Sequence, residues 1–335
     1  MNISIPEDRR AAYSGGEFAG ESASVRGLLR NALTAARGGD RPILVTGEVG
    51  AGKSQLARFI HAHSARVRGP LIFLDCGGGP ELDNLLFGHR NGAFTGAIRD
   101  FSGRLRQAEG GVIVLDDLER LTHHQQDQLH RVLVDGTYFP IGSERQLTAD
   151  VRFVATTNKE VRAEVEAGRL KSDFISRLDY FHLHVPSLAQ RSEDIPILCH
   201  SLLQRNLLDL VAKGIREPTE VRFHEDCWPA IQARRFDDNV RGLDKLIVRL
   251  LAHLGDRTEI TPADVDMVAP ITGAPNTYWF DQPAPLRLVR DSAERQYILD
   301  VCNLTSYNLR RTARILGISP KALYARLRQY GIARP

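Results

Sequence analysis

Pro42-Ile43-Leu44-Val45-Thr46-Gly47-Glu48-Val49-Gly50-Ala51-Gly52-Lys53-Ser54 is the most informative run in the chain. The first five residues form a short apolar run of the kind that makes a buried strand. The next eight match Gly-x-x-x-x-Gly-Lys-Ser in full. They follow a predicted strand and open a predicted helix, the setting in which this pattern is a phosphate-binding loop. Its glycines let backbone N–H groups turn inward around phosphates, and the helix N-terminus adds positive potential. Lys53 is placed to reach the β- and γ-phosphates, and the Ser54 hydroxyl to ligate Mg²⁺. The expected nucleotide-contacting residues are therefore Gly47, Glu48, Val49, Gly50, Ala51, Gly52, Lys53 and Ser54, with Gln55 beside them.

Outward from this loop the same alternation continues. Leu71–Leu74, Val112–Leu115 and Val151–Ala155 are further buried-strand patterns, separated by helical stretches. Strands alternating with helices predict an α/β fold, a parallel sheet with helices on both faces. The strand at Val112 ends in Asp116-Asp117, two carboxylates where a second Mg²⁺-organising site is usually built. Asp116 is expected to hold the metal and Asp117 to polarise the attacking water as general base. The strand after Val151 ends in Thr156-Thr157-Asn158, and Asn158 is expected to sense the γ-phosphate or that water.

From Ser192 the strand pattern stops, and Leu198, Leu202, Leu203 and Leu207 recur at helical spacing, as do the leucines of Leu243–Leu251. Residues 270–285 hold four prolines without periodicity and read as a linker. The expected division is a leader (1–17), an α/β subdomain (18–191), a helical lid (192–269), the linker (270–285) and a helical C-terminal domain (286–335).

Charge is unevenly placed. Residues 304–335 carry seven Lys or Arg and no Asp or Glu, so the whole chain's +3 leaves −4 for residues 1–303. A basic tail on an acidic body points to a polyanion partner. Within the tail, Asn308–Leu316 reads as a helix, Gly317-Ile318-Ser319 as a turn, and Pro320–Tyr330 as a second helix with Ser319 as N-cap. Leu309, Ala313, Leu316, Ile318, Leu323 and Leu327 supply its core. This is a helix-turn-helix. Lys321, Tyr324 and Arg328 are expected at the major groove, and Arg310, Arg311, Arg314 and Arg326 at phosphates. Ser319 joins the expected DNA-contacting residues, and a helix from about Leu288 to Val301 is expected to dimerise the unit on double-stranded DNA.

Cys76, Cys199, Cys227 and Cys302 are widely spaced, which suits buried thiols in a reducing interior rather than a disulfide or zinc framework. No signal peptide and no apolar run of about 18 residues is present. The expectation is a cytoplasmic protein with no membrane partner.

Together these stretches resemble the AAA+ domain of bacterial enhancer-binding proteins, the activators of sigma-54 RNA polymerase. The resemblance runs over about residues 18–268 and 286–332. Its most specific piece is Leu86-Phe87-Gly88-His89-Arg90-Asn91 followed by Gly92-Ala93-Phe94-Thr95-Gly96-Ala97. In that family the hexapeptide tips a mobile loop that touches the sigma factor. Gly136–Gly142 resembles the second surface loop. Asn239-Val240-Arg241 resembles the second sensor, with Arg241 contacting the nucleotide. Lys171 and Arg177 fall at the two arginine-finger positions. The resemblance implies ATP and Mg²⁺ as cofactors, upstream enhancer DNA and sigma-54 polymerase as partners, and a hexameric ring; with the loop beginning at residue 47, no regulatory domain is expected before it.

The sequence departs from the family at several points. Asp117 stands where the family has Glu, Asp75 where it has an Asn that pairs with that Glu, and Lys171 where it has Arg. Two nearby carboxylates repel and either raise a pKa or recruit a cation, and Lys lacks the bidentate fork of Arg. Ser54 stands in place of a Glu, Phe236-Asp237-Asp238 in place of Trp-Pro-Gly, and Gly242 in place of a Glu. The leading expectation is an ATPase that activates transcription, slow by itself or aided by a related subunit. The alternative is a DNA-binding partner subunit that hydrolyses weakly or not at all.

Overall fold

A computed structural model describes residues 17–214, 220–255, 257–269, 298, 302, 305 and 309–329, apart from the side chains of residues 80, 310, 314, 328 and 329. The expected leader, linker and dimerising helix fall almost wholly outside these residues. Five strands form one sheet: β1 (Ile43–Thr46), β2 (Leu71–Asp75), β3 (Val112–Asp116), β4 (Arg152–Thr157) and β5 (Phe181–His184). Their order is β2-β3-β4-β1-β5, and every pairing is parallel. The α/β class read from the sequence is therefore the observed one. β5 is the strand the sequence pattern missed.

Alternate residues of each strand face opposite sides, so the sheet carries two cores. Ile43, Val45, Val112, Val114 and Val154 pack with α1 (Ala23–Arg37) and α2 (Lys53–Ala62). Leu44, Ile113, Leu115, Phe153 and Ala155 pack on the other face. There they meet α3 (Leu82–Phe87), α4 (Arg104–Gln107), α5 (His123–Asp135) and α7 (Ser172–Leu178), with α6 (Val161–Glu166) at the margin. Burial on both faces explains why these strands read as continuous apolar runs.

A separate core belongs to the helical lid: α8 (Ile195–Ala212), α9 (Cys227–Gln232), α10 (Asn239–Leu254) and α11 (Pro262–Val268). Leu198, Leu202, Leu203 and Leu207 are all buried in it, at the helical spacing the sequence displays. Asp194, almost fully buried, ties the lid to the start of α1. Its carboxylate accepts from the Glu21 and Ser22 N–H groups and the Ser22 hydroxyl at 2.6–2.7 Å.

The chain divides into two compact units, Met1–Ile271 and Thr272–Pro335. In the second, α12 (Leu309–Ile315) and α13 (Pro320–Gln329) are joined by a turn in which Gly317 has φ +64°. Ser319 Oγ accepts from the Ala322 N–H at 3.1 Å and caps α13 as expected. Leu309, Leu316, Ile318 and Leu327 pack around Ala313 and Leu323, joined by Ile298 and Cys302. The four cysteines are buried free thiols. Among the described residues no helix is long and apolar enough to cross a membrane.

Arg152 is 1% exposed, at the first position of β4. Its guanidinium donates to the Ala35, Ala36 and Arg41 carbonyls at 2.6–3.0 Å, closing the C-terminal end of α1. Removing it strands several carbonyls away from water. Arg152→Leu is expected to destabilise the ATPase unit by about 2–4 kcal/mol, read as a lower urea midpoint in equilibrium unfolding.

Candidate functional site

The phosphate loop emerges from β1 and ends on the first turn of α2. Gly47 has φ +148°, and a Cβ there would lie 2.7 Å from the Val185 carbonyl oxygen. Gly50, at φ +73°, has no room for a side chain because the Asp238 carbonyl lies against it. Lys53 is 8% exposed, and its ammonium donates to the Gly47 and Glu48 carbonyls at 2.8 and 3.0 Å. Burial lowers its pKa from the ordinary lysine value. Asp116, Asp117 and Glu119 oppose that shift, while Arg241 adds to it.

A cleft of about 450 Å³ opens above the loop at the C-terminal edge of the sheet. This is where open α/β sheets bind ligands. Val49, Gly50, Gly52, Lys53, Ser54, Gln55, Asp116, Asp117, Asn158 and Arg241 all line it. Ten expected residues thus converge on one volume. Gly47, Glu48 and Ala51 complete the loop behind them.

Three successive residues at and just past the end of β4 each face one carboxylate at or just past the end of β3. The Thr156 hydroxyl donates to Asp116, in a short contact. The Thr157 hydroxyl donates to Glu119 at 2.6 Å, and Asn158 Nδ2 approaches Asp117 Oδ1 at 3.5 Å. Thr156 and Thr157 are fully buried, so the acids are held from below by rigid strand. Asp117 itself has φ +56°, an uncommon conformation for a non-glycine residue, at the turn from β3 into a 3₁₀ segment.

The lid reaches the loop through the first turn of α10. Asn239, at φ +52° and 2% exposed, donates from Nδ2 to Glu48 Oε2 and the Val49 carbonyl, both at 3.0 Å. Its Oδ1 accepts from the Leu188 N–H at 2.7 Å, and the Val240 N–H donates to the Gly50 carbonyl at 3.1 Å. Arg191 is buried under the loop, donates to the Ala51 carbonyl at 2.5 Å, and lies 5.4 Å from the Phe18 ring.

Sequence reasoning missed several cleft residues. Leu202 and Arg205 from α8, and Val240 and Asp244 from α10, form its lid side, and Arg120 lies at its mouth. Arg205 pairs with Asp244 at 2.8 Å. Val240 sits inside the Asn239-Val240-Arg241 stretch, whereas Leu202, Arg205 and Asp244 carry no motif and are brought together by the packing of α8 on α10.

Lys171 and Arg177 lie outside this cleft. Lys171 pairs with Asp127 of α5 at 2.5 Å, and its backbone N–H donates to the buried Gln126 at 2.8 Å. This pairing lowers the pKa of Asp127. Arg177 is exposed in the last turn of α7.

The Gly92–Ala97 hexapeptide is a closed surface turn. The Gly92 N–H donates to the Ala97 carbonyl at 2.7 Å, with Gly92 and Gly96 at φ +79° and +103°. Asp100 braces its base through Arg90 and the Asn91 N–H. Phe94 is 46% exposed and rests edge-on against His89, 4.9 Å between centroids, while Ile98 beside it is 85% exposed. The second loop touches the first. The Arg90 N–H donates to the Ile141 carbonyl, the Ile141 N–H to that of Gly88, and Gly142 packs on Ala93. On α13 and before it, Ser319, Lys321 and Tyr324 are exposed, as is Arg311 on α12, while Arg326 is half-buried. The side chains of Arg310, Arg314 and Arg328 lie outside the described residues.

A parallel sheet of this order, a phosphate loop with paired acids, a helical lid and a helix-turn-helix define an AAA+ P-loop NTPase joined to a DNA-binding unit. Residues 18–184 match the Sigma-54 interaction domain, and residues 290–330 the Bacterial regulatory protein, Fis family. The chain is 31% identical to the response regulator protein PilR of Pseudomonas aeruginosa, covering 99% of this chain and 73% of that one. It is 34% identical to the transcriptional regulatory protein ZraR of Klebsiella oxytoca, over 92% and 68% of the two chains. The crystal structure of NtrX from Brucella abortus with ATP superposes at a TM-score of 0.67 and 27% identity, covering 97% of this chain and 72% of that one. The chain belongs to the family of sigma-54-dependent transcriptional activators with an AAA+ domain and a Fis-type helix-turn-helix.

The contact of Gly50 with Asp238 makes a sharp test of the lid's role. Gly50→Ala is expected to leave the protein folded and to weaken ATP binding at least about tenfold. Both its positive φ and the neighbouring carbonyl oppose a methyl group. Titration of a fluorescent ATP analogue measures this.

Proposed function

We propose that this protein binds upstream DNA and, assembled as a ring, uses ATP hydrolysis to remodel sigma-54 RNA polymerase so that a promoter opens. The observation that carries the reading is the convergence of Lys53, Ser54, Asp116, Asp117, Asn158 and Arg241 on one cleft. The donor set suits a nucleotide triphosphate with Mg²⁺. Lys53 would meet the β- and γ-phosphates, where the carbonyls it now bonds are within reach as alternatives. Ser54 and Asp116 supply hard oxygens for Mg²⁺, which when bound neutralises charge developing on the phosphates.

Asp117 accepts the proton of the attacking water as its oxygen bonds the γ-phosphorus. The bond to the β–γ bridging oxygen then breaks, and ADP keeps that electron pair. Asn158 orients Asp117 or the water from β4. Arg241 reports the nucleotide to the lid. Arg177, exposed and outside its own cleft, suits a role in a neighbouring subunit's site, which is the argument for a ring, a hexamer in this reading. The Gly92–Ala97 turn presents Phe94 and Thr95 to the sigma factor, while Arg311, Lys321, Tyr324 and Arg326 meet DNA as a dimeric unit.

A second reading is favoured by one contact. Lys171, at the first finger position, is held by Asp127 of its own chain rather than offered outward. A subunit with one finger engaged this way suits slow hydrolysis, or service as a DNA-binding partner beside a related subunit.

Steady-state ATPase assays of the wild type and Lys53→Ala separate the two. Turnover at least about a hundredfold above the variant is expected for the motor, and equal rates would sink it in favour of the partner subunit. Independently, Thr95→Ala is expected to keep ATP and DNA binding yet lose transcription activation in a reconstituted sigma-54 polymerase assay. Full activation by that variant would remove the hexapeptide from the sigma contact.

A further inference from the structure

The edge of the sheet beside the cleft is crowded with negative charge. Asp75 ends β2 directly opposite Asp116 in the β2–β3 register, and Asp117 and Glu119 follow within three residues. Asp116 and Glu119 are each bonded by a buried threonine. Asp75 and Asp117 have no such hydroxyl. Among the described residues Asp75 accepts from the Gly77 N–H, at 2.7 Å, and Asp117 has the long approaches of Asn158 and Arg120, each at 3.5 Å.

Arg120 pairs with Asp117 and extends to the neighbourhood of Asp75, without an ion pair to it. Its Nε is 3.5 Å from Asp117 Oδ2. Its Nη1 and the Asp75 Oδ1 both crowd the same point above the Gly77 Cα. A methyl there would overlap the guanidinium and lie 3.0 Å from the carboxylate. Gly77 thus leaves the space through which the arginine reaches toward Asp75. Arg120 closes the 3₁₀ turn Leu118–Arg120, three residues beyond Asp117.

We propose that Arg120 is a positioning residue of the hydrolytic site: its guanidinium, paired with Asp117 and turned toward Asp75, offsets the repulsion of the two carboxylates and holds Asp117 facing the cleft. Asp75, Gly77, Asp117 and Arg120 then form one unit in which each departure makes the others tolerable. The cation that two adjacent carboxylates call for comes from the chain itself. The inference rests on the hydrolysis reading above, but the charge compensation can be measured apart from it.

The experiment uses the full chain and four variants: Arg120→Ala, Arg120→Lys, Asp75→Asn and the double variant Asp75→Asn/Arg120→Ala. Arg120→Ala is expected to lower kcat roughly tenfold while KM for ATP stays within about twofold, because Asp117 is misplaced and the nucleotide's own contacts are intact. Arg120→Lys is expected to recover part of the rate. The double variant, in which the like charge is also gone, is expected to return to within about threefold of wild type. A merely structural loss would not be repaired by deleting a second charged group.

Melting of the same proteins without nucleotide reads the compensation independently. Arg120→Ala is expected to melt about 1–3 °C lower, with Asp75→Asn restoring it. The proposal is overturned if Arg120→Ala turns over within twofold of wild type, or if the double variant is no better than Arg120→Ala. Should the wild type turn over no faster than Lys53→Ala, the hydrolysis reading fails, and the melting pattern alone decides whether the compensation exists. Additive losses there would overturn it too.

Discussion

The first turn of α10 pressed onto the phosphate loop is the constraint on which the rest of the ATPase unit depends. Asn239 gives its amide to Glu48 and Val49 and its carbonyl to Leu188, while Val240 bonds Gly50. A left-handed Asn239 makes this approach possible, and a side-chain-free Gly50 leaves room for it. Every lid residue that lines the cleft inherits its position from this joint. Asp194 repeats the logic on the other side, fastening the lid's first segment to Ser22 and so to α1. The nucleotide site is therefore a seam between two separately cored bodies, joined by the hydrogen bonds of Asn239, Val240 and Asp194.

The parts legible in the sequence are those written in consecutive residues. The phosphate loop, β1 to β4, the paired acids, the leucine spacing of α8 and the six-residue core of the helix-turn-helix each depend on local order. β5 was not legible. Phe181-His182-Leu183-His184 is a short edge strand whose two histidines bond Thr46 at 3.1 Å, so it lacks the apolar run of a strand buried on both faces. Arg205 and Asp244 were equally hidden. Each becomes part of the site only after helices distant in sequence pack together, and nothing in their immediate neighbours announces it. Arg120 lies between. The sequence says that Asp75 beside Asp117 either raises a pKa or recruits a cation, but only the turn after β3 shows a residue that can supply the cation.

The basic groups near the cleft are managed in different ways. Lys53 is buried and holds loop carbonyls. Lys171 is occupied by Asp127, and Arg205 by Asp244. Arg177 alone among the two finger residues points outward without a described partner in its own chain. An arginine in the last turn of a short helix, anchored by the buried Phe174 and Leu178, is stiffly mounted for contact with another molecule.

The joined surface loops have a mechanical side. α5 begins a few residues after Asp117 and ends at Gly136, where the second loop starts. Its 13 residues make a rod about 20 Å long. Pivoting that rod by about 5° at the acid end would carry the other end through about 1.7 Å. Ile141 is stitched to Gly88 and Arg90, and Gly142 abuts Ala93. The displacement would thus pass to the Phe94 turn as a push between backbones, with no slack for side chains to absorb.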